Sequence, residues 1–115
     1  MKNVILPEMT IGGRAYGILG FLRGDETSVK GNVMVARAKE LGANLGKGDG
    51  EFILASQAEI PEALRGKVVL VFTDWRDSSD SEFVAYAYWR RGRWIHRWRW
   101  LGYGWHDDVR LLRRK

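Results

Sequence analysis

Hydrophobic and polar residues alternate most clearly between residues 82 and 101. The segments 82–90 (EFVAYAYWR) and 93–101 (RWIHRWRWL) alternate in the way that is typical of strands. Arg91-Gly92 between them favours a two-residue hairpin turn, because glycine tolerates the positive φ that such turns need. The preceding segment 67–75 (KVVLVFTDW) is apolar on both faces, as expected of a central strand. The second half of the chain is therefore predicted to form an antiparallel meander of three or more strands.

The helical signal lies in the first half of the chain. Apolar residues recur at helical spacing from Val29 to Leu41, and Gly42 is a natural stop. The residues that could cap the start of this helix are Asp25, Thr27 and Ser28.

The other segments are predicted to be short elements. Residues 14–22 favour a strand that glycines weaken, and 46–50 (GKGDG) is predicted to be a loop. Residues 51–56 (EFILAS) favour a short strand, and 61–66 (PEALRG) favour a single helical turn. The tail at 109–114 (VRLLRR) fits either a strand or a short helix.

Length and composition narrow the fold class. A chain of 115 residues suits one ordinary domain, so we expect a single α+β domain over residues 1–115. Its predicted form is one main amphipathic helix packed on a curved antiparallel β-sheet. The absence of cysteine excludes thiolate catalysis, disulfides and thiolate metal sites. The first ten residues lack the apolar run of a signal peptide, and no stretch approaches a membrane span, so we expect a cytoplasmic protein without membrane contact.

The positive charge is concentrated at the C-terminal end. Residues 1–60 carry seven basic and seven acidic side chains, whereas residues 90–115 carry nine basic side chains against Asp107 and Asp108. Eight of the nine are arginine, which grips phosphate or carboxylate and stacks on rings better than lysine does. This pattern indicates an anionic partner, with a merely solubilising basic face as the alternative.

The predicted hairpin separates two chemically different faces. A two-residue turn at Arg91-Gly92 pairs Trp89 with Trp94 and Ala85 with Trp98 on one face. Small alanines opposite large rings fill a core well, so this face is predicted to be buried. The other face and the hairpin tip carry residues whose polar ends favour water or a partner. These predicted binding residues are Tyr86, Tyr88, Arg90, Arg91, Arg93, Arg97 and Arg99.

Catalytic chemistry has only weak candidates in this chain. They are His96, His106 and Asp108. Adjacent residues of an extended chain point in opposite directions, so His106 could converge with Asp108 but not, without a sharp turn, with Asp107. With two histidines and no cysteine, no metal site is expected, and the glycine-rich segments lack the spacing of nucleotide-binding loops, so no cofactor is expected. Because these candidates are weak, we do not expect the protein to be an enzyme. A metal-independent ribonuclease stays open, with the histidines as general base and acid and an arginine at the phosphate.

The favoured function is therefore a non-enzymatic binding module for an anionic partner, above all single-stranded nucleic acid. Binders of this kind combine a basic track with rings on which bases stack, and the hairpin carries both. One alternative is a homo-oligomeric interaction protein in which a second copy covers one sheet face, as in a homodimer. Another is a pocket lined by tryptophans for a small ligand.

Overall fold

The computed structural model describes residues 7–115. The prediction of no signal peptide falls mainly on residues 1–6, which lie outside the described residues. The strands are β1 (Glu8–Ile11), β2 (Arg14–Leu19), β3 (Ser28–Lys30), β4 (Val69–Asp77), β5 (Asp80–Arg90), β6 (Arg93–Trp100), β7 (Gly104–His106) and β8 (Val109–Arg114). The helices are α1 (Gly31–Glu40), α2 (Lys47–Ala55) and the single-turn 3₁₀ helices Gln57–Glu59 and Glu62–Leu64. The fold is α+β, with more strand than helix.

Six strands form the main sheet, in the order β1-β2-β8-β4-β5-β6, and β3 pairs with β7 in a separate two-stranded sheet. Neighbouring strands of the main sheet are antiparallel except β4 and β8, which are parallel. The predicted meander is present as β4-β5-β6, and the tail, for which strand and helix were both open, is strand β8 in the middle of the sheet.

The predicted register of the hairpin β5–β6 is confirmed at every pair. Trp89 lies opposite Trp94, Arg90 opposite Arg93, and the pairing continues to Phe83 and Trp100. Arg91 and Gly92 at the turn both have positive φ, 52° and 84°, which matches the strong right-handed twist of a two-residue hairpin.

The prediction of a loop at 46–50 followed by a strand at 51–56 is wrong, because residues 47–55 form α2. The expectation of one main helix is also wrong, because the described residues form two α-helices, α1 and α2. The reason is non-local: a Cβ atom at Gly50 would lie 2.4 Å from Cε3 of Trp75, so only glycine lets this helix pack so closely on β4. The curvature of the sheet and the amphipathic character of a helix stay predictions.

The start of α1 also differs from the sequence-based expectation. The chain is extended over Ser28–Lys30, where it pairs with β7, and the helix begins at Gly31 without a side-chain cap. The amide of Gly31 donates to the carbonyl of Leu101 at 2.8 Å, and a Cβ atom there would lie 2.2 Å from that oxygen. Contact with the segment after β6 therefore decides where the helix begins.

The two helices cover opposite faces of the main sheet. On one face, Ile53 of α2 packs in a cluster with Leu70, Phe72 and Trp94. On the other face, Met34 and Ala38 of α1 pack with a second cluster that includes Trp105 from β7. Strand β4 contributes to both clusters and is buried on both sides, as its apolar sequence predicts.

Candidate functional site

Strand β6 forms one edge of the main sheet and carries different side chains on its two faces. The tryptophan face holds Trp94, Trp98 and Trp100, and the tyrosine–arginine face holds Tyr86 and Tyr88 from β5 with the arginines of β6. Because side chains alternate across a strand, the two faces present separate surfaces.

The prediction that the tryptophan face is buried is correct only at one end. Trp94 is 3% exposed, whereas Trp98 is 38% and Trp100 is 43% exposed. Gln57, directly after α2, binds the backbone of Trp94, so the helical segment ends beside that part of β6. Trp98 and Trp100 lie further along the strand, beyond the cover that α2 provides.

His96 lies on the tryptophan face, between two indole rings. Its ring centroid is 4.3 Å from that of Trp75 and 4.7 Å from that of Trp98. Burial lowers the pKa of His96, and the neighbouring positive charge of Arg97 lowers it further. This is the environment of a packed, neutral histidine.

The second histidine lies on the opposite side of the sheet. His106 lines a cavity together with Tyr86, whereas His96 packs on the α2 side, so the two histidines are not brought together. A base and an acid must both reach one reacting phosphate. The ribonuclease alternative therefore has no paired histidines to use.

Tyr86 and Tyr88 form a stacked pair on the tyrosine–arginine face. Their ring centroids are 5.7 Å apart with an angle of 18° between the planes, and both side chains are half-buried. Burial raises the pKa of the Tyr86 phenol, with a smaller contribution from Tyr88, so the hydroxyl keeps its proton and can donate a hydrogen bond.

Each of these two tyrosines lines a cavity. Tyr86 lines one of about 130 Å³ and Tyr88 lines one of about 190 Å³. Val69 and Asp108 line both, so the two cavities adjoin, and we call the surface formed by these four residues the tyrosine groove. Val69 and Asp108 are held together because the amide of Val69 donates to the carbonyl of Asp108 at 2.8 Å.

Five arginines belong to the hairpin. Three of them point to the same face of β6 and form a row of about 20 Å at the usual rise of a strand. Most are exposed, with Arg99 half-buried. We call the following residues the hairpin arginines: Arg90, Arg91, Arg93, Arg97 and Arg99.

Within residues 7–115, Arg99 is the hairpin arginine whose guanidinium packs on aromatic rings. Its guanidinium carbon lies 4.8 Å from the ring centroid of Tyr103 and 5.1 Å from that of Trp105. The same side chain donates to the carbonyl of Gly104 at 3.1 Å. Cation–π contacts and a carbonyl acceptor therefore hold this guanidinium at the end of the tyrosine groove.

The structure thus brings Tyr86, Arg99, His106 and Asp108 around one cavity. No family model, curated protein or solved structure matches this chain. Function must therefore be inferred from these side chains: a phenol, a guanidinium, an imidazole and a carboxylate over an indole floor.

Two further findings bear on function. Among residues 7–115, no three histidine, aspartate or glutamate side chains are grouped so that they could hold a metal ion. None of the helices in this range is long and apolar enough to cross a membrane.

Sequence patterns alone did not identify part of the site. Val69 and Trp105 line the cavity but come from β4 and β7, and neither is among the binding residues predicted from the sequence. They meet the hairpin because β8 lies parallel to β4 and returns the chain to that corner. No local signal could have found this, since a parallel pairing joins segments far apart in sequence.

Proposed function

We propose that the protein binds single-stranded nucleic acid along the tyrosine–arginine face of hairpin β5–β6. The observation that carries this proposal is that none of the hairpin arginines forms an ion pair with any residue between 7 and 115. Elsewhere, arginines such as Arg14 and Arg37 do pair with carboxylates. An unneutralised row of guanidinium groups is suited to a chain of phosphates.

The rings beside this row favour nucleic acid over other polyanions. Tyr86 lies directly across from Arg97 on the neighbouring strand, and Tyr88 lies across from Ile95. Bases could stack on tyrosine while their phosphates contact the arginines, and stacking contributes about 1 to 3 kcal/mol per base. A polyanion without rings would leave the tyrosine groove unused.

A single strand suits this surface better than a duplex. Only an unpaired base can leave its stack and enter the groove beside Tyr86 and Tyr88. The same charge row disfavours a second copy at this edge, because pairing β6 with β6 would place the arginine rows together. The surface therefore suits single-stranded nucleic acid, which carries both negative charge and unpaired bases.

The test is fluorescence anisotropy with a labelled oligouridine over a series of salt concentrations. We expect binding at low salt, with a log–log slope of about −0.7 for each phosphate contacted. Arg97→Ala should weaken binding and make the slope less negative by about 0.7, the contribution of one phosphate contact. Tyr88→Ala should weaken binding about 5- to 150-fold, as expected if a base stacks on its ring. A duplex of the same length should bind more weakly.

The matched control is Arg23→Ala, which removes one positive charge away from the hairpin. Arg23 is exposed and pairs with Glu40 at 2.7 Å, so its loss should change stability little. If Arg23→Ala and Arg97→Ala weaken binding equally, binding depends only on the net charge of the protein, and a defined binding surface is refuted. Absence of salt-dependent binding at low salt would refute the proposal as a whole.

A further inference from the structure

The cavity that Tyr86 lines has a size that limits its occupant. Its volume is about 130 Å³. A protein cavity of roughly 150 Å³ holds a molecule of the size of benzene, so this one admits about one ring of a planar ring system, and the rest of a larger system projects outward. Trp105, which is 1% exposed, and half-buried Tyr86 give it two aromatic walls.

Two of the four polar side chains around the cavity, Arg99 and Asp108, are of opposite kinds. Arg99 offers only hydrogen-bond donors, and its contacts with Tyr103, Trp105 and the carbonyl of Gly104 hold it in place. Asp108 is exposed and lines the same cavity, and within the described part of the chain its carboxylate forms no ion pair. An ionised carboxylate offers only acceptors.

This combination disfavours a phosphate as the occupant. The carboxylate of Asp108 would repel an anion, whereas the exposed hairpin arginines outside the cavity would not. The cavity therefore suits a neutral ring that carries donors on one edge and acceptors on the next.

We propose that this cavity binds one unpaired guanine base of the bound strand, an inference that rests on the proposed nucleic-acid-binding function. Guanine carries two adjacent N–H donors, N1–H and the N2 amino group, which match the two oxygens of one carboxylate. Its neighbouring edge carries the acceptors O6 and N7, which match the fork of an arginine. Asp108 would recognise the first edge and Arg99 the second.

The other three bases match this cavity less well. Adenine and cytosine present one amino donor next to a ring acceptor, and that acceptor would face a carboxylate oxygen. Uracil presents one N–H between two carbonyl oxygens. Each would leave an oxygen of Asp108 unpaired or opposed to an acceptor, which costs binding free energy when the base displaces water.

The experiment compares labelled uridine heptamers that carry guanosine, adenosine, cytidine, inosine or uridine at the central position. The protein should bind the guanosine heptamer at least fivefold more tightly than the others, which is the lower end of discrimination by one bidentate contact. Inosine lacks the N2 amino group, so it should lose most of this preference.

Asp108→Asn should abolish the preference for guanosine over inosine, because the amide offers a donor where guanine needs a second acceptor. The bond that ties this position to Val69 uses the backbone carbonyl, so the substitution keeps it. Asp107→Asn is the matched control: it removes the same charge from the adjacent exposed residue and should retain the guanosine preference.

The two proposals fail in different ways. If all heptamers bind equally and with normal salt dependence, or if Asp108→Asn and Asp107→Asn behave alike, the guanine site is refuted and the binding function stands. If no heptamer binds at low salt, the binding function is refuted and the guanine site with it.

Discussion

Gln57 forms two hydrogen bonds with the backbone of Trp94. Its Oε1 accepts from the amide of Trp94 at 2.7 Å, and its Nε2 donates to the carbonyl of Trp94 at 3.1 Å. Trp94 and Trp89 form a non-hydrogen-bonded pair of the hairpin, because the hydrogen-bonded pair next to the two-residue turn is Arg90 with Arg93. The backbone groups of Trp94 therefore point outward, and the Gln57 side chain takes the place of a further strand.

Replacing Gln57 by alanine should lower the free energy of unfolding by about 1 to 3 kcal/mol. Two partly buried hydrogen bonds are lost, each worth about 0.5 to 1.5 kcal/mol. Urea unfolding followed by tryptophan fluorescence measures this change. Ala58→Ser, at the exposed neighbouring position, should change stability by less than about 0.5 kcal/mol. Equal stabilities for Gln57→Ala and Ala58→Ser would show that the contact with β6 contributes nothing.

Two glycines of α2 should respond to alanine in opposite directions. A Cβ atom at Gly50 would lie 2.4 and 2.6 Å from ring atoms of Trp75, so Gly50→Ala should destabilise the protein by about 1 to 3 kcal/mol through overpacking. Gly48 has no neighbour within 4 Å of such an atom, so Gly48→Ala should stabilise the helix by up to about 1 kcal/mol. Thermal unfolding of both variants measures the difference. A stabilising Gly50→Ala would contradict the close packing of α2 on β4.

Stability should depend on pH through Glu26. Two nitrogens of Arg37 donate to its carboxylate at 2.6 and 3.0 Å, and the amide of Arg23 donates at 2.7 Å. These bonds, above all those of Arg37, lower the pKa of Glu26 from 4.5 to about 2. Because the folded-state pKa is below the ordinary value, the contribution to stability is complete above pH 4.5 and is lost as the pH falls towards 2.

The measurement for Glu26 is the urea midpoint of the protein and of Glu26→Gln at several pH values. The two midpoints should converge between pH 4.5 and pH 2, the two pKa values of this carboxyl. Arg37→Gln should remove most of the same pH-dependent difference, since it takes away the main cause of the shift. If the difference between the two urea midpoints stays constant over this pH range, the ion pair of Glu26 with Arg37 is not the cause of that difference.

Iodide quenching should act mainly on two of the six tryptophans. Trp98 and Trp100 are well exposed, whereas Trp105 is 1% exposed, and the nearby arginines should concentrate the iodide anion. The double variant Trp98→Phe/Trp100→Phe should therefore lose most of the quenchable fluorescence. Trp105→Phe should retain it. Unchanged quenching in the double variant would show that Trp98 and Trp100 are covered.

The hairpin could be predicted because its determinants are local. Arg91 and Gly92 accept positive φ, and the alternation of the flanking strands leaves one register that separates the two faces. For the same reason, the row of Arg93, Arg97 and Arg99 beside Tyr86 could be proposed as a surface from the sequence. Whether any ligand occupies that surface stays a prediction.

Helix α2 could not be predicted because the glycine that it requires, Gly50, has a tertiary cause. Gly46, Gly48 and Gly50 within five residues indicate a loop locally, yet Gly50 is required by the ring of Trp75 that it contacts. The same limit applies to the exposure of Trp98 and Trp100, which depends on how much of β6 is covered by α2. The pattern of residues predicts which side chains share a face of a strand. How much of that face is buried depends on elements elsewhere in the chain.

Strand β8 lies between β2 and β4 and joins the two halves of the main sheet. During synthesis, it is the last of these strands to emerge from the ribosome. Until then, β1–β2 and β4–β5–β6 share no backbone hydrogen bonds within the sheet, and the nascent chain carries two open strand edges, on β2 and on β4. Closure of this sheet therefore waits for β8, and the interval before it is when the chain is most exposed to aggregation.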